Sequence, residues 1–455
     1  PTVAECSDGT FGDVRIAASC PTGYSFNSAL AFGPGPLLGF IGRGGRTGAA
    51  KDADGASKFD NQDYGLFIQD KWQVRSNLTL NYGLRWEAQI FPQPFIPPAQ
   101  TAYGRFLNDP RFPSDGTLHS PKKEFQPRVG FAWDISKKGK SVLRGSYGVY
   151  YARQNMLTQV QPLTTNGVQL QGTFFNTAII GFGVNPPAFP GVVIPPALPP
   201  GQFNDFTGVS VFSRDYANPR IYTTNAAFEQ EIATNWTVYF DFTHAKGVHL
   251  TRFLNYGRTG FFGPQLGDVF VTSSAGKSLY NGFTVGMRKR FSKGYQLEWN
   301  YLLSKDKDDD SNERDPFTDR SFDPLNLSFD YALSDRDIRH KFNFYVYAEL
   351  PKGFQFTPRI QARSAQPITP AVRTATNRNT LRKDNKYFSF DWRLQRPFKF
   401  GERYALIPVI EMFNTFNNKN NINPLSTPSL VNFDGFLRFG VGDPRQVQLA
   451  VKFTF

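Results

Sequence analysis

Hydrophobic and polar side chains alternate with period two along most of this chain. In His340–Leu350, Phe342, Phe344, Val346, Ala348 and Leu350 fall on one side, and Lys341, Asn343, Tyr345, Tyr347 and Glu349 on the other. Successive side chains of a strand point to opposite faces, so this stretch is an apolar face backed by a polar one. The last ten residues repeat it, with Val447, Leu449, Val451, Phe453 and Phe455 against Gln446, Gln448, Ala450, Lys452 and Thr454. Asn77–Gln89, Phe125–Ile135, Ser141–Ala152, Asn235–Thr243, Ser278–Phe291, Gly294–Ser304, Phe354–Ser364, Lys386–Phe398 and Tyr404–Phe416 read the same way. Asp63–Val74 and Arg220–Glu231 fit less cleanly. Together they predict about thirteen strands of roughly ten to thirteen residues, against a mode near 5–6 for ordinary strands. A tilted strand crossing a bilayer needs ~9–11.

The connections alternate as well. Short turns are expected at Arg75–Ser76, Ser136–Lys140, Ala233–Thr234, Ser292–Lys293, Pro351–Gly353 and Gly401–Arg403. Long connections are expected at Ile90–Glu124, Arg153–Pro219, Gly247–Lys277, Lys305–Ile338, Ala365–Asn385 and Asn417–Arg445. An up-and-down barrel with turns at one rim and loops at the other gives this order. Propellers and sandwiches have no reason to alternate so. The expected fold is all-β, a transmembrane antiparallel up-and-down β-barrel. Pro358 and Pro408 fall on apolar faces inside strands, which calls for a bulge or a rim position. Val160–Pro219 holds "NPPAFPGVVIPPALPPG" at Asn185–Gly201 and reads as an extended loop, not a barrel strand. It serves either as a contact for ligand, partner or neighbouring protomer, or as a rigid spacer.

Composition then takes its place. The chain has 455 residues, which length alone would divide into about three domains; the strand pattern makes it one barrel or most of one. A hydrophobic share of 40% suits strands whose other face is wet. Aromatics reach 16%, and Trp72, Trp86, Trp133, Tyr151, Trp236, Trp299, Tyr301, Trp392 and Phe413 lie near strand ends, where interfacial girdles form. The net charge of +13 is spread among interleaved acids, a poor footprint for nucleic acid. Arg85, Arg128, Arg144, Arg288, Arg359, Arg363 and Lys452 on the polar faces would look into a wet lumen, and the charge would favour anionic solutes or lipopolysaccharide. No run of ~18 apolar residues forms a membrane helix. No CxxC pair marks a zinc finger or thioredoxin-like site. Nothing at Pro1 reads as a signal peptide.

The stretches "DNQDYGLFIQDKWQVRSNLTLNYGLRWE" (Asp60–Glu87), "QPRVGFAWDISKKGKSVLRGSYGVYY" (Gln126–Tyr151), "YNGFTVGMRKRFSKGYQLEWNYLLSKDKDD" (Tyr280–Asp309), "DRDIRHKFNFYVYAELP" (Asp335–Pro351), "DWRLQRPFKFGERYALIPVIEMFNTFN" (Asp391–Asn417) and "RQVQLAVKFTF" (Arg445–Phe455) carry a resemblance. In this order they resemble the C-terminal barrel of TonB-dependent outer-membrane receptors, closest to the Oar-like group. The resemblance implies an outer-membrane location, energised uptake or surface binding of a large or scarce substrate, and no cofactor. It implies outer-membrane lipid, lipopolysaccharide, the barrel-assembly machinery and a TonB complex as partners. Val447, Leu449, Val451, Phe453 and Phe455 resemble the barrel-assembly signal. That places the last strand's end and the short turns at the periplasm, and the long loops outside. The chain departs from the family in strand number, and nothing ahead of Asp60 is long enough for a plug or TonB box. The expected organisation is therefore an N-terminal loop and strand region at 1–61 and a barrel at 62–455 that includes the loop 153–219. The alternatives are a stand-alone barrel of about 14 strands acting as a porin-like channel, or a structural barrel whose loops adhere.

Other candidates are weaker. Cys6 and Cys20 form an even pair suited to a loop disulfide in an oxidising compartment. Asp306, Asp308 and Asp310 offer hard oxygen ligands for a cation but miss the EF-hand pattern, and Lys305, Lys307 and Arg314 suggest a solvated, self-paired cluster instead. Gly42–Gly48 is glycine-rich without a strand–helix context, and reads as a loop. His244 and His249 are five apart, on opposite faces of a strand, and His119 and His340 have no partner at ligand spacing. No nucleophile and base can be assembled, so an enzyme is not expected.

Overall fold

The computed structural model describes residues 58–167, 208–262, 266–311, 319–420 and 443–455 in full, and the backbone of short strands at Tyr24–Phe26, Leu37–Arg43, Leu170–Asn176, Asn421–Asn423 and Gly440–Val441. Thirteen long strands make one antiparallel ladder in chain order. They are β1 (Gln62–Arg75), β2 (Leu78–Ile90), β3 (Glu124–Asp134), β4 (Ser141–Tyr151), β5 (Arg220–Ala233), β6 (Trp236–Asn255), β7 (Val269–Ser292), β8 (Tyr295–Asp308), β9 (His340–Leu350), β10 (Phe354–Arg363), β11 (Tyr387–Gln395), β12 (Tyr404–Phe413) and β13 (Gln446–Thr454). Val209–Phe212, Ala332–Leu333 and Phe398–Phe400 attach to it and complete a 16-stranded sheet. Every strand expected from the alternation is present.

The register separates the faces. Leu80 pairs with Phe131, Phe228 with Phe240, Phe242 with Phe283 and Phe344 with Ile360. Leu394, Ile410 and Leu449 form one cross-strand row. Apolar positions on this face recur from β1 to β13 and stay half-buried or exposed, up to 74% at Ile68 and 73% at Leu449. A soluble protein rarely shows an apolar patch beyond a few hundred Å². Such a band is stable only against hydrocarbon. No helix among the described residues is long and apolar enough to cross a membrane, so the crossing is made by strands.

Proline explains the breaks in the ladder. Pro358 pairs with Trp392 of β11, but towards β9 the pairing stops at Tyr345–Arg359 and resumes at Ala348–Phe356. The missing N–H is the one that would have faced β9. Between β11 and β12 the pairing stops at Gln395–Val409 and resumes at Phe398–Leu406. Pro397 and Pro408 stand in that gap, and the Arg396 N–H donates weakly to the Pro408 carbonyl (3.3 Å). Neither proline sits in a bulge; each costs a ladder bond on one side only.

Two expectations are corrected. Gly247–Lys277 is not a loop: β6 has 20 residues and β7 has 24, and their hairpin runs past its neighbours, with register shifts between Gly247 and Arg252. Leu250–Asn255 are buried on both faces, so no period-two pattern marks them. The Pro-rich connection also holds an α-helix, α1 (Leu157–Thr164), around Pro162. Val209–Phe212 pairs in parallel with Val269–Thr272. Asn185–Gly201 lies outside the described residues. In the 1–61 region, Leu37–Arg43 pairs with Tyr24–Phe26 and Leu170–Asn176 in a separate three-stranded sheet.

Face assignment is testable in bilayers. Phe242→Arg on the apolar face should destabilise the protein by roughly 2–4 kcal/mol in equilibrium refolding into vesicles. Thr284→Arg, whose residue pairs with Asp241 on the other face, should cost less than about 1 kcal/mol. Equal losses would contradict the assignment.

Candidate functional site

The register puts Arg85, Arg128, Arg144, Arg288, Arg359, Arg363 and Lys452 on the same polar face. Most are held by partners. Arg85 Nε donates to Glu87 Oε1 (2.8 Å), and Gln126 Nε2 donates to the other Glu87 oxygen (2.6 Å). Arg144 Nη1 meets Glu229 at 2.6 Å. Arg288 Nε donates to Glu298 (3.0 Å), which also accepts from the hydroxyls of Tyr345 (2.8 Å) and Tyr239 (3.2 Å). Gly286 makes room for the Tyr239 ring, since a Cβ there would collide with it. Arg128 stacks 4.6 Å over Tyr150 and Arg363 lies 5.7 Å from the Tyr387 ring centre. Arg359 pairs with Asp391 in register, and Lys452 stands opposite Ile407. Sequence reasoning found the cations and missed the glutamates. Their signal was cross-strand, as with Arg288 opposite Glu298.

The well-packed core is not in the sheet but at the loop rim. Tyr103, Phe112, Val209, Val211, Phe262, Leu266, Val269 and Val271 form one buried cluster. Phe91, Leu118, Leu163, Phe212 and Tyr216 form a second. They join the 91–123 connection, α1, Val209–Phe212 and the projecting β6–β7 hairpin. Desolvation raises the Tyr216 hydroxyl above the usual tyrosine range.

Beside these clusters the acidic run is locked, which corrects the picture of a solvated cluster paired with its own neighbours. Arg252 of β6 is 1% exposed, donates to Asp330 (3.2 Å), and lies 3.8 Å from Asp310 and 4.0 Å from Asp309. Arg378 donates to Asp308 (2.6 Å) and to the Asp330 carbonyl (2.6 Å). Arg373 reaches Asp330 (2.8 Å), Arg382 reaches Asp337 (3.2 Å) and Arg258 reaches Asp319 (2.7 Å). These pairs tie the 309–339 and 364–386 connections to β6. Asp306, Asp308 and Asp310 do not converge: among the described residues no three His, Cys, Asp or Glu are placed to hold a metal.

The histidines also stay apart, with His119 on Asp115 (2.8 Å), His244 on Asn281 (2.8 Å) and His340 on Tyr301 (2.6 Å). Gly42 and Arg43 end a strand, and Gly44–Gly48, Cys6 and Cys20 lie outside the described residues.

Burial pushes the Asp309 carboxyl from 3.8 up to about 6, against the pull of the Lys277 N–H and Arg252. A raised acid pKa means that the folded rim holds this proton more tightly. Its contribution is full below about 3.8 and is lost as pH rises through about 6. The rim loops should therefore resist proteolysis better at pH 5 than at pH 7.5, and Asp309→Asn should narrow the difference. Arg252→Met removes the one cation that Asp309, Asp310 and Asp330 share. Asp330 keeps Arg373, Asp310 keeps Arg320 and Asp309 keeps the Lys277 N–H, so the loss stays below the ~3–5 kcal/mol of a fully broken buried pair. The substitution should open new cleavage sites within 319–339 and 364–386 while the sheet keeps its heat-modifiable band. An unchanged cleavage map would exclude this role.

With this geometry established, the likeness to known proteins has a physical basis. The model of the family described as outer membrane beta barrel domain matches residues 36–371. Among solved structures, the outer membrane transporter YddB from Escherichia coli is similar at 11% identity, with 87% of this chain, 45% of that one and a TM-score of 0.54. The FrpB iron transporter from Neisseria meningitidis is similar at 10% identity, with 92% of this chain, 55% of that one and a TM-score of 0.51. The FpvAI–pyocin S2 complex is similar at 10% identity, with 87%, 38% and 0.51. At such identities the likeness is one of fold, and this chain spans about half the length of these proteins or less. No curated protein matches the sequence. A family model spanning most of the ladder, on a sheet whose outward face only hydrocarbon can cover, leaves one assignment: the chain belongs to the outer membrane beta barrel domain family and resides in the outer membrane.

Proposed function

We propose that the chain forms one wall of a TonB-dependent receptor of the Oar-like group, which takes up or binds at the surface a large or scarce substrate. The observation that carries this reading is the open ladder: β1 and β13 are unpaired with each other among the described residues. Each edge leaves a row of N–H and C=O groups that hydrocarbon cannot satisfy. Further strands at both edges give a barrel wider than a small porin, whose lumen must be plugged or gated. The half-length likeness to outer-membrane transporters, one of them an iron transporter, supports the same reading.

In this reading residues 62–455 supply strands and loops, and 1–61 an N-terminal region clasped by Cys6–Cys20. Arg85, Arg128, Arg144, Arg288, Arg359, Arg363 and Lys452 face the lumen. Pairing of Arg85, Arg144 and Arg288 with Glu87, Glu229 and Glu298 makes that wall charged but in part balanced, suited to a polar plug or cargo rather than to one anion. Val447, Leu449, Val451, Phe453 and Phe455 serve the barrel-assembly machinery, the long loops face outward, and lipopolysaccharide surrounds them.

The full-length protein in planar bilayers should show no steady conductance, and its deletion should reproduce part of the nutrient-limited growth defect of a strain lacking TonB. A large constitutive conductance would favour the porin-like alternative. A growth defect that is unchanged by restoring TonB alone, and complemented without it, would remove energised uptake.

A further inference from the structure

The lipid-facing side of the sheet carries a feature that a plain barrel wall does not need. A groove of about 490 Å³ lies where β10–β13 meet, lined on the outward face by Leu394, Pro408, Ile410, Leu449 and Val451. It coincides with the ladder gap left by Pro397 and Pro408. At its turn-ward end stands Arg396, on the same outward face as Leu394 and Phe398. Its guanidinium lies 4.6 Å from the Phe398 ring centre and 5.2 Å from that of Phe354. Arg396 makes no ion pair among the described residues, in contrast to Arg85, Arg144 and Arg288 on the polar face.

An arginine on a lipid-facing surface is costly at mid-depth and is tolerated at the headgroup level, where anions can meet it. Here the guanidinium sits at the edge of the apolar band, beside the 401–403 turn and among the exposed rings of Phe398, Phe400 and Tyr404. That is the depth of the headgroups. The groove runs from this cation into the hydrocarbon layer. We propose that it is a binding site for an anionic phospholipid, with the phosphate on Arg396 and one acyl chain between Leu394, Pro408 and Val451. Arginine suits phosphate because its planar donors engage two oxygens at once. The rings on either side fix the guanidinium plane, and neighbouring Lys399 and Arg403 add attraction without contact. The groove thus lies where the ladder bonds are absent.

The test uses the full-length protein, extracted from its membrane, delipidated and titrated with phosphatidylglycerol, phosphatidylethanolamine or lipid A while bound lipid is counted by native mass spectrometry. The unmodified protein should bind phosphatidylglycerol at least fivefold more tightly than phosphatidylethanolamine. Arg396→Gln should abolish that preference, Arg396→Lys should keep part of it, and Val451→Trp should weaken both lipids by fivefold or more. Lys293→Gln, in another turn of the same rim, should change nothing. The site is overturned if Arg396→Gln keeps the preference, if Lys293→Gln lowers it as much, or if lipid A binds more tightly than phosphatidylglycerol. Should a variant fail to fold, the unmodified protein still decides: a phosphatidylglycerol preference that is absent, or that survives high salt unchanged, overturns the proposal.

Discussion

A peptide group in hydrocarbon has no water to bond with, and every other feature of this protein follows from that constraint. Each strand must be paired along its membrane-crossing length, so the chain runs back and forth in neighbour order with no crossover in the main ladder. Proline is admitted only where one side of one strand loses a bond, as at Pro358 and Pro408. The turns are short because they need only reverse the chain. The loops are freed from the constraint, and there the chain builds what the sheet cannot: buried clusters, a helix and a projecting hairpin.

Charge is distributed by the same logic. On the polar face Arg85, Arg144 and Arg288 meet glutamates across or along strands, and exposed pairs of this kind contribute little to stability. At the loop rim the aspartates are buried, and Arg252, Arg378 and Arg382 reach them from segments distant in sequence. Burying ions is justified less by net energy than by geometry, because only one arrangement of the loops satisfies Asp330, Asp308 and Asp337 together. Among the described residues the rim is thereby a defined surface.

The ladder was legible because a half-buried strand writes its two environments into alternate residues. Eleven of the thirteen strands carry that mark plainly, and Gln62–Arg75 and Arg220–Ala233 carry it less cleanly. The projecting half of β6 and β7 does not, since Phe253, Leu254, Val269 and Val271 are buried on all sides and have no polar face to alternate with. The rim network was illegible for another reason. Arg252 and Asp330 are 78 residues apart, and nothing local tells an aspartate whether its arginine will come from the neighbouring residue or from another hairpin. The acidic run at Asp306–Asp310 therefore looked solvated when it is the anchor of the rim.

Strand parity sharpens what the open edges mean. Consecutive strands of the ladder are antiparallel, so the first and thirteenth run in the same direction. If β1 and β13 closed on each other, they would do so as a parallel pair, which up-and-down barrels of this kind avoid by having an even strand number. Both edge strands are exposed along nearly their whole length, β1 with charges at Asp63, Asp70, Lys71 and Arg75. Charge, proline or a bulge would normally protect a free edge. β13 instead offers Val447, Leu449, Val451 and Phe453 with a single lysine between them. An edge of that kind is stable in a membrane only when another strand covers it. Antiparallel closure of this ladder would need an odd number of further strands between β13 and β1.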